Sequence, residues 1–304
     1  MVSLSDIKKF FRGKILLDEP LSKYTWMKVG GAADYYVEPM DKSDLIEIAK
    51  YFRRNSFPFH ILGRGSNVLV SDDGIRGAVI NLESAVSAIR LEGERVVAEA
   101  GVWLQKFVDF CIQHDLAGVE MLAGIPGTIG GAVVMNAGAH GGEISNYLVD
   151  VEILRGCDIT TVSKEAAQFS YRRSAFEQDV VLSARFDLPK GNKEDLAKRR
   201  RELILKRNET QPLELPNSGS MFKNPPSTYA AKLIEQAGLK GKRIGNAQIS
   251  EKHANFIVNL GNARANDIAQ LLELARRTVY QNSGIELELE VKLLGFQTKI
   301  NGAR

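Results

Sequence analysis

From Gly124 to Gly142 the chain concentrates seven glycines: Gly124-Ile125-Pro126-Gly127-Thr128-Ile129-Gly130-Gly131-Ala132 runs on into Met135-Asn136-Ala137-Gly138-Ala139-His140-Gly141-Gly142. Glycine is costly to order and is used where the backbone takes positive φ or must come close to another group. Seven in one stretch are too many for a single turn. A short helix starting near Thr128 would aim free N–H groups at an anion; the plainer alternative is a glycine-rich connection over a crowded core. A second loop, Gly63-Arg64-Gly65-Ser66-Asn67, directly follows an expected strand. Successive N–H groups in such a turn can make a concavity for phosphate oxygens. It also reads as a tight strand-to-strand turn.

Neither loop fits a common nucleotide fingerprint. Val68 stands where the Rossmann pattern needs its last glycine, and a strand rather than a helix is expected next. No glycine loop ends in Gly-Lys-Ser/Thr, so there is no Walker A sequence. A nucleotide site built here would need both loops to clasp a long diphosphate ligand such as FAD.

The rest of the chain narrows the class. Its 304 residues exceed what one core usually serves, so two or three domains are expected. Forty basic against 37 acidic residues leave a net charge of +3, too little to point to nucleic acid or an anionic membrane. No apolar run approaches the roughly 18 residues of a membrane span. Lys8, Lys9, Arg12 and Lys14 break up any signal-peptide core, which makes the cytoplasm the expected location. Cys111 and Cys157 have no metal-binding spacing, and Cys111 falls in an apolar helical stripe. His60, His114, His140 and His253 are scattered, so no metal site is expected.

Periodicity gives the elements. Leu4, Ile7 and Phe11 suit one face of a short helix. Asp34 to Glu38 reads as a strand, and Asp41 or Ser43 can cap a helix carrying Leu45, Ile48, Ala49 and Phe52. Strands are expected at Phe57–Leu62, Val68–Val70, Ala78–Leu82, Arg95–Ala100, Val149–Leu154 and Val180–Leu188, with a helix carrying Leu104, Phe107, Val108 and Cys111. Pro189-Lys190-Gly191-Asn192 reads as a boundary. The helix Lys193–Asn208 beyond it carries Lys198 to Arg201, which read as a solvated face. Thr228 can cap a helix through Ala230, Leu233, Ile234 and Ala237 that Gly238 ends. Ala254–Leu260 reads as a strand, Ile268 to Ala275 as part of a long helix, and Glu286–Leu294 as a strand alternating glutamates with apolar residues.

Three strings carry side chains suited to chemistry. Ser218-Gly219-Ser220-Met221-Phe222-Lys223-Asn224-Pro225 puts hydroxyls, an amine and an amide in one loop, though it also reads as a Ser/Asn turn. No Gly-x-Ser-x-Gly elbow occurs, which argues against a serine hydrolase. Tyr171-Arg172-Arg173-Ser174 offers arginine to clamp a carboxylate, or a surface ion pair. In Glu286, Glu288 and Glu290, alternation alone does not say which glutamate faces a cavity.

Together with Tyr24-Thr25-Trp26-Met27-Lys28-Val29-Gly30-Gly31-Ala32-Ala33-Asp34, Lys252-His253-Ala254-Asn255-Phe256-Ile257-Val258-Asn259 and Glu290-Val291, these strings resemble, in order and spacing, the UDP-N-acetylenolpyruvoylglucosamine reductase family over residues 24 to 295. The resemblance implies an α+β chain. A vanillyl-alcohol-oxidase-type (PCMH-type) FAD-binding domain of two subdomains is followed by a smaller C-terminal α+β substrate domain. On that reading residues 1–22 are an N-terminal helical segment, 23–190 the FAD-binding domain, and 191–304 a linker helix and the substrate-binding domain.

The resemblance further implies non-covalent FAD, NADPH as hydride donor, and reduction of an enolpyruvyl ether of a UDP-sugar to a lactyl ether in peptidoglycan precursor synthesis. Small molecules are then the expected partners, with no obligate protein partner. Gly63, Arg64, Gly65, Ser66 and Asn67 would hold the cofactor, with Gly124, Ile125, Pro126, Gly127, Thr128, Gly130, Gly131, Asn136, Gly138 and Ala139. Arg172 would stabilise the developing enolate. Ser220 would protonate the carbanion with neighbouring support, and Lys223 is our candidate for that neighbour. Glu290 would donate a hydrogen bond, which requires it to be protonated. Asn224 and His253 match substrate-contacting positions, the latter a glutamine in some relatives. Arg172 and Ser220 are 48 positions apart (220 − 172), which resembles the shorter, type II form of the family. Two other readings are another flavoprotein of the same FAD-domain class, such as a sugar-lactone oxidase, and a non-catalytic flavin- or nucleotide-sugar-binding module. Neither gives the C-terminal strings a role.

Overall fold

The computed structural model of the chain describes residues 2–296. The chain forms two compact units. One comprises Met1–Leu16, Tyr35–Arg64 and Gly77–Arg207, the other Leu17–Asp34, Gly65–Arg76 and Asn208–Arg304.

In the first unit a five-stranded antiparallel sheet runs in the order Asp158–Ser163, Leu148–Arg155, Val180–Phe186, Arg95–Glu99, Ile89–Glu92. The helix Leu104–Gln113 buries Leu104, Phe107, Val108 and Cys111, as its spacing predicts, and Phe107 stacks on Phe186 at 4.8 Å. Burial also pushes the Cys111 thiol far above its ordinary range, so it behaves as a small hydrophobe. The helix Lys42–Arg54 starts where expected. Asp41 is its N-cap, accepting the Asp44 N–H at 2.9 Å, and Leu45, Ile48, Ala49 and Phe52 are fully buried. The strand Phe59–Leu62 pairs in parallel with Ala78–Asn81, which directs the chain after Leu62 into the first glycine loop. The helix Lys193–Thr210 buries little besides Leu196, as its charged sequence requires.

In the second unit the strands Arg243–Ile244, Ala247–Ile249 and Ile257–Asn259 form an antiparallel sheet, covered by the helix Ala265–Ser283, which packs on Ala230–Gln236. The long helix starts on a distant cap: both Asp72 carboxylate oxygens accept N–H groups, from Ala265 at 2.8 Å and Asn266 at 3.0 Å. The strand Val68–Val70 pairs in parallel with Lys292–Leu294.

Three expectations need correction. Thr228 is not the cap of the helix Ala230–Gln236. Tyr229 holds the N-cap position without a side-chain bond, and Asn224 supplies the missing acceptor to the Ala230 N–H at 3.1 Å. The strand expected over Ala254–Leu260 shrinks to Ile257–Asn259, because Phe256 N–H turns back onto the His253 carbonyl. The strand expected over Glu286–Leu294 is regular only at Lys292–Leu294. Its alternation is nevertheless real as burial: Leu287 and Val291 are buried while Glu286 and Glu288 are exposed.

Phe107→Ala should cost about 3–5 kcal/mol by emptying the first unit's core. Ile159→Ala, on a half-exposed edge-strand position, should cost less than about 0.5 kcal/mol. Denaturant titration of both variants checks this.

Candidate active site

The two glycine loops meet within the first unit. A Cβ on Gly63 would lie 2.5 Å from the Thr128 hydroxyl, so only glycine lets the loops touch. Gly130 sits against Ala100 in the same way, and Gly124 lies under the side chain of Arg207, whose guanidinium burial pulls down to about 10. Gly65 has φ +61 and would meet the Tyr24 carbonyl if it carried a side chain. Arg64 stacks its guanidinium on the Trp103 ring at 3.8 Å.

Thr128 is the N-cap of the helix Ile129–Met135, as expected, but the helix does not offer its first N–H groups to an anion. Ile129 and Gly130 donate to the Val102 and Ala100 carbonyls, at 2.9 and 2.8 Å. The available donors lie in the loops. Among the described residues, the backbone N–H groups of Gly63, Gly65, Ser66, Gly127 and Thr128 find no protein acceptor. Asn136, in left-handed conformation and fully buried, leaves its side-chain oxygen without a partner. An added Cβ would meet little at Gly131 and nothing at Gly141. Donor N–H groups beside glycines with open space fit a diphosphate better than they fit a closed connection.

The second loop also holds the Tyr171–Ser174 turn. Asn136 donates to the Ser170 carbonyl at 3.0 Å and to Glu143 at 2.7 Å, and the Ser174 hydroxyl donates to the Val134 carbonyl at 2.7 Å. Arg172, at φ +56, donates to the Gly138 carbonyl at 2.6 Å and passes its guanidinium over Tyr171. One loop therefore carries both the candidate cofactor groups and the candidate arginine.

In the second unit the segment Met221–Lys223 pairs with Glu288–Glu290. Glu290 N–H donates to the Met221 carbonyl and Lys223 N–H to the Glu288 carbonyl, both at 2.8 Å, around a bridge between Phe222 and Leu289. This pairing sets Ser220 and Glu290 on adjoining backbone. Both are partly buried, unlike Glu286 and Glu288. Lys223 does not turn to Ser220: its ammonium pairs with Glu288 at 2.5 Å. Asn255 locks the pairing from beneath. It is buried, accepts from Phe222 N–H at 3.0 Å, donates to the Phe222 carbonyl at 2.8 Å, and its own carbonyl takes the Met221 N–H. The Lys252–Asn259 string shows no role for Asn255, although an asparagine amid Ala254, Phe256 and Ile257 is the signal of a buried amide.

His253 packs edge-on against Phe256 at 4.7 Å, and its Nδ1 accepts the Asn255 N–H at 3.3 Å. Burial first, and the nearby Lys240 charge, push its pKa below 6.5. Asn224 is exposed, and its side-chain oxygen is spent on the Ala230 N–H. Arg172, Gly63, Arg64 and the second loop belong to the first unit, and Gly65 to Asn67, Ser220, Asn224, His253 and Glu290 to the second.

Comparisons with known proteins match both parts of the chain, with Gly65 to Asn67 falling inside the first match. A family model described as "FAD binding domain" matches residues 33–161, and one described as "UDP-N-acetylenolpyruvoylglucosamine reductase, C-terminal domain" matches residues 211–294. The UDP-N-acetylenolpyruvoylglucosamine reductase of Chloroherpeton thalassium is 48% identical over 97% of this chain and 98% of that protein. The enzyme of the same name from Caldanaerobacter subterraneus is 44% identical over 93% and 94%. The crystal structure of UDP-N-acetylenolpyruvylglucosamine reductase from Thermus caldophilus superposes with a TM-score of 0.79 at 35% identity, covering 94% of this chain and all of that one. The expected α+β class, a vanillyl-alcohol-oxidase-type FAD-binding fold with a C-terminal α+β domain, is borne out.

Because the folded His253 pKa lies below its unfolded value of 6.5, stability is full above about pH 6.5 and falls as pH drops through the folded pKa. His253→Gln should remove its share of that acid-side loss. Unfolding free energies of both proteins between pH 7.5 and 5.0 (from about 1 unit above to about 1.5 units below the free histidine value) check this; parallel curves would contradict it.

Proposed function

Since the chain belongs to the UDP-N-acetylenolpyruvoylglucosamine reductase family, we propose that Arg172, Ser220 and Glu290 are the groups through which it reduces UDP-N-acetylenolpyruvoylglucosamine to UDP-N-acetylmuramate. The chain is an FAD-dependent oxidoreductase of peptidoglycan precursor synthesis that draws on NADPH. We take residues 23–190 as the FAD-binding part and 191–304 as the linker helix and substrate-binding part, and we read the enzyme as a cytoplasmic one acting on small molecules. No helix among the described residues is long and apolar enough to cross a membrane.

The residues present fit the cofactor. Gly63, Gly65, Ser66, Gly127 and Thr128 offer N–H donors to its diphosphate, and the orphaned side-chain oxygen of Asn136 offers a buried acceptor. FAD, when bound, supplies the hydride. The protein's work is to orient the enolpyruvyl group and manage the charge that builds in its carboxylate. Arg172 clamps that carboxylate, held in place by the Gly138 carbonyl and the Tyr171 ring. Glu290, protonated, donates to it. Ser220 delivers a proton to the carbon beside it. A serine hydroxyl is a weak acid, so it serves only a strongly basic carbanion and only from a fixed position.

The observation that supports this reading most is the Met221–Glu290 backbone bond at 2.8 Å, braced by the buried Asn255. It makes the donor pair one rigid piece. Lys223 belongs to that piece through Glu288 and steadies it as an ion pair.

The test follows the two halves of the reaction separately. Ser220→Ala should slow oxidation of the reduced enzyme by the enolpyruvyl substrate by about 100-fold or more, and leave reduction by NADPH near normal. Glu286→Ala, an exposed change, should alter neither half. Equal slowing of both halves by Ser220→Ala would reject the proton-donor role, and NADPH oxidation that ignores the enolpyruvyl substrate would reject the function.

A further inference from the structure

We propose that Asn67, the last residue of the first glycine loop, is a positioning residue for Glu290, reaching it through its side-chain amide. The inference rests on the catalytic reading of Glu290 given above. Asn67 Nδ2 donates to the Glu290 carbonyl at 3.1 Å, across 223 positions of sequence. In return, the Asn67 carbonyl accepts the Lys292 N–H at 3.0 Å. From there the chains run as a parallel pair, with Lys292 opposite Val68, Leu293 opposite Leu69 and Leu294 opposite Val70.

The geometry explains why an asparagine stands there. In a parallel ladder one residue accepts from one neighbour of its partner and donates to the other. Asn67 accepts from Lys292, so the donor rung to Glu290 falls to the same residue. Its backbone is still in the turn that leaves the glycine loop, and the side-chain amide supplies a peptide-like N–H at that level. A shorter or apolar side chain has no donor to offer, and aspartate presents an oxygen to the carbonyl.

The consequence for Glu290 is rotational. Its N–H is held by the Met221 carbonyl and its C=O by Asn67. With both flanking peptides fixed, the direction in which the Cα–Cβ bond points is fixed as well. The Ser220 loop joins the same strand edge, since the Ser218 hydroxyl donates to the Val68 carbonyl at 3.3 Å. A residue that the family resemblance assigns to the cofactor loop thus sends its amide to the far end of the chain. The loop at the cofactor and the carboxyl at the substrate share one residue.

The test uses the flavin-loaded enzyme. The Asn67 side-chain amide points to Glu290, and the loop N–H groups offered to the cofactor are backbone groups that alanine keeps, so Asn67→Ala should keep its flavin, with an unchanged absorbance spectrum, and be reduced by NADPH within about twofold of the parent rate. Oxidation of the reduced enzyme by the enolpyruvyl substrate should slow by about 10- to 100-fold, the scale of a small misplacement of a catalytic group. Its half-saturating substrate concentration should change far less than its limiting rate. In a Glu290→Ala background Asn67→Ala should cost nothing more, because the group it positions is gone. Loss of flavin, equal slowing of both halves, or losses that multiply in the double variant each overturn the proposal. If Glu290→Ala alone leaves the substrate half-reaction intact, the assignment of Glu290 fails instead. Should Asn67→Ala not fold, Asn67→Asp, the same size but without the donor, is read by the same criteria.

Discussion

On the proposed catalytic reading, the chemistry rests on a short antiparallel pairing that regular secondary structure does not include. Met221 to Lys223 and Glu288 to Glu290 exchange backbone bonds at 2.8 Å around the Phe222–Leu289 bridge, and buried Asn255 satisfies both polar groups of the Phe222 backbone from the other side. A buried amide that bonds through both its nitrogen and its oxygen is rigid, and its loss leaves several groups unsatisfied at once. The backbone that carries Ser220 and Glu290 is therefore held in place, and only their side-chain torsions remain free. That suits a weak acid, which must be exactingly placed because its acidity contributes so little.

The glycine loops obey a related constraint. Gly63 touches Thr128 and Gly130 touches Ala100, so segments far apart in sequence come within contact only because one side of each contact is a glycine without a Cβ. The same closeness leaves several loop N–H groups facing away from protein acceptors, which is what a diphosphate requires. Asn136 and Arg172 extend the arrangement: the loop that presents donors also anchors the arginine turn through Ser170 and Gly138.

Much of this was legible in the sequence. The helices of Phe52 and Phe107 followed from apolar spacing, Asp41 and Thr128 from cap chemistry, and the buried Cys111 from its place in a stripe. What the sequence hid was whatever depends on partners distant along the chain. The alternation of Glu286 to Leu294 predicted burial correctly but not pairing, because the segment bonds to the Met221 loop before it joins the strand after Asn67. Thr128 was read as opening a helix toward an anion, yet Val102 and Ala100 had already taken its first N–H groups. Lys223 stood near Ser220 in sequence, while its charge was committed to Glu288. The cap on the helix Ala265–Ser283 comes from Asp72, 193 positions away, beyond the reach of any local signal.

The central claim is that Ser220 and Glu290 act as one unit on the substrate. Single-turnover oxidation of the reduced enzyme by the enolpyruvyl substrate, measured for Ser220→Ala, Glu290→Ala and the double variant, tests it most directly. Groups that act together are non-additive, so the double variant should be scarcely slower than the slower single one. Losses that multiply would show two independent groups and contradict the account.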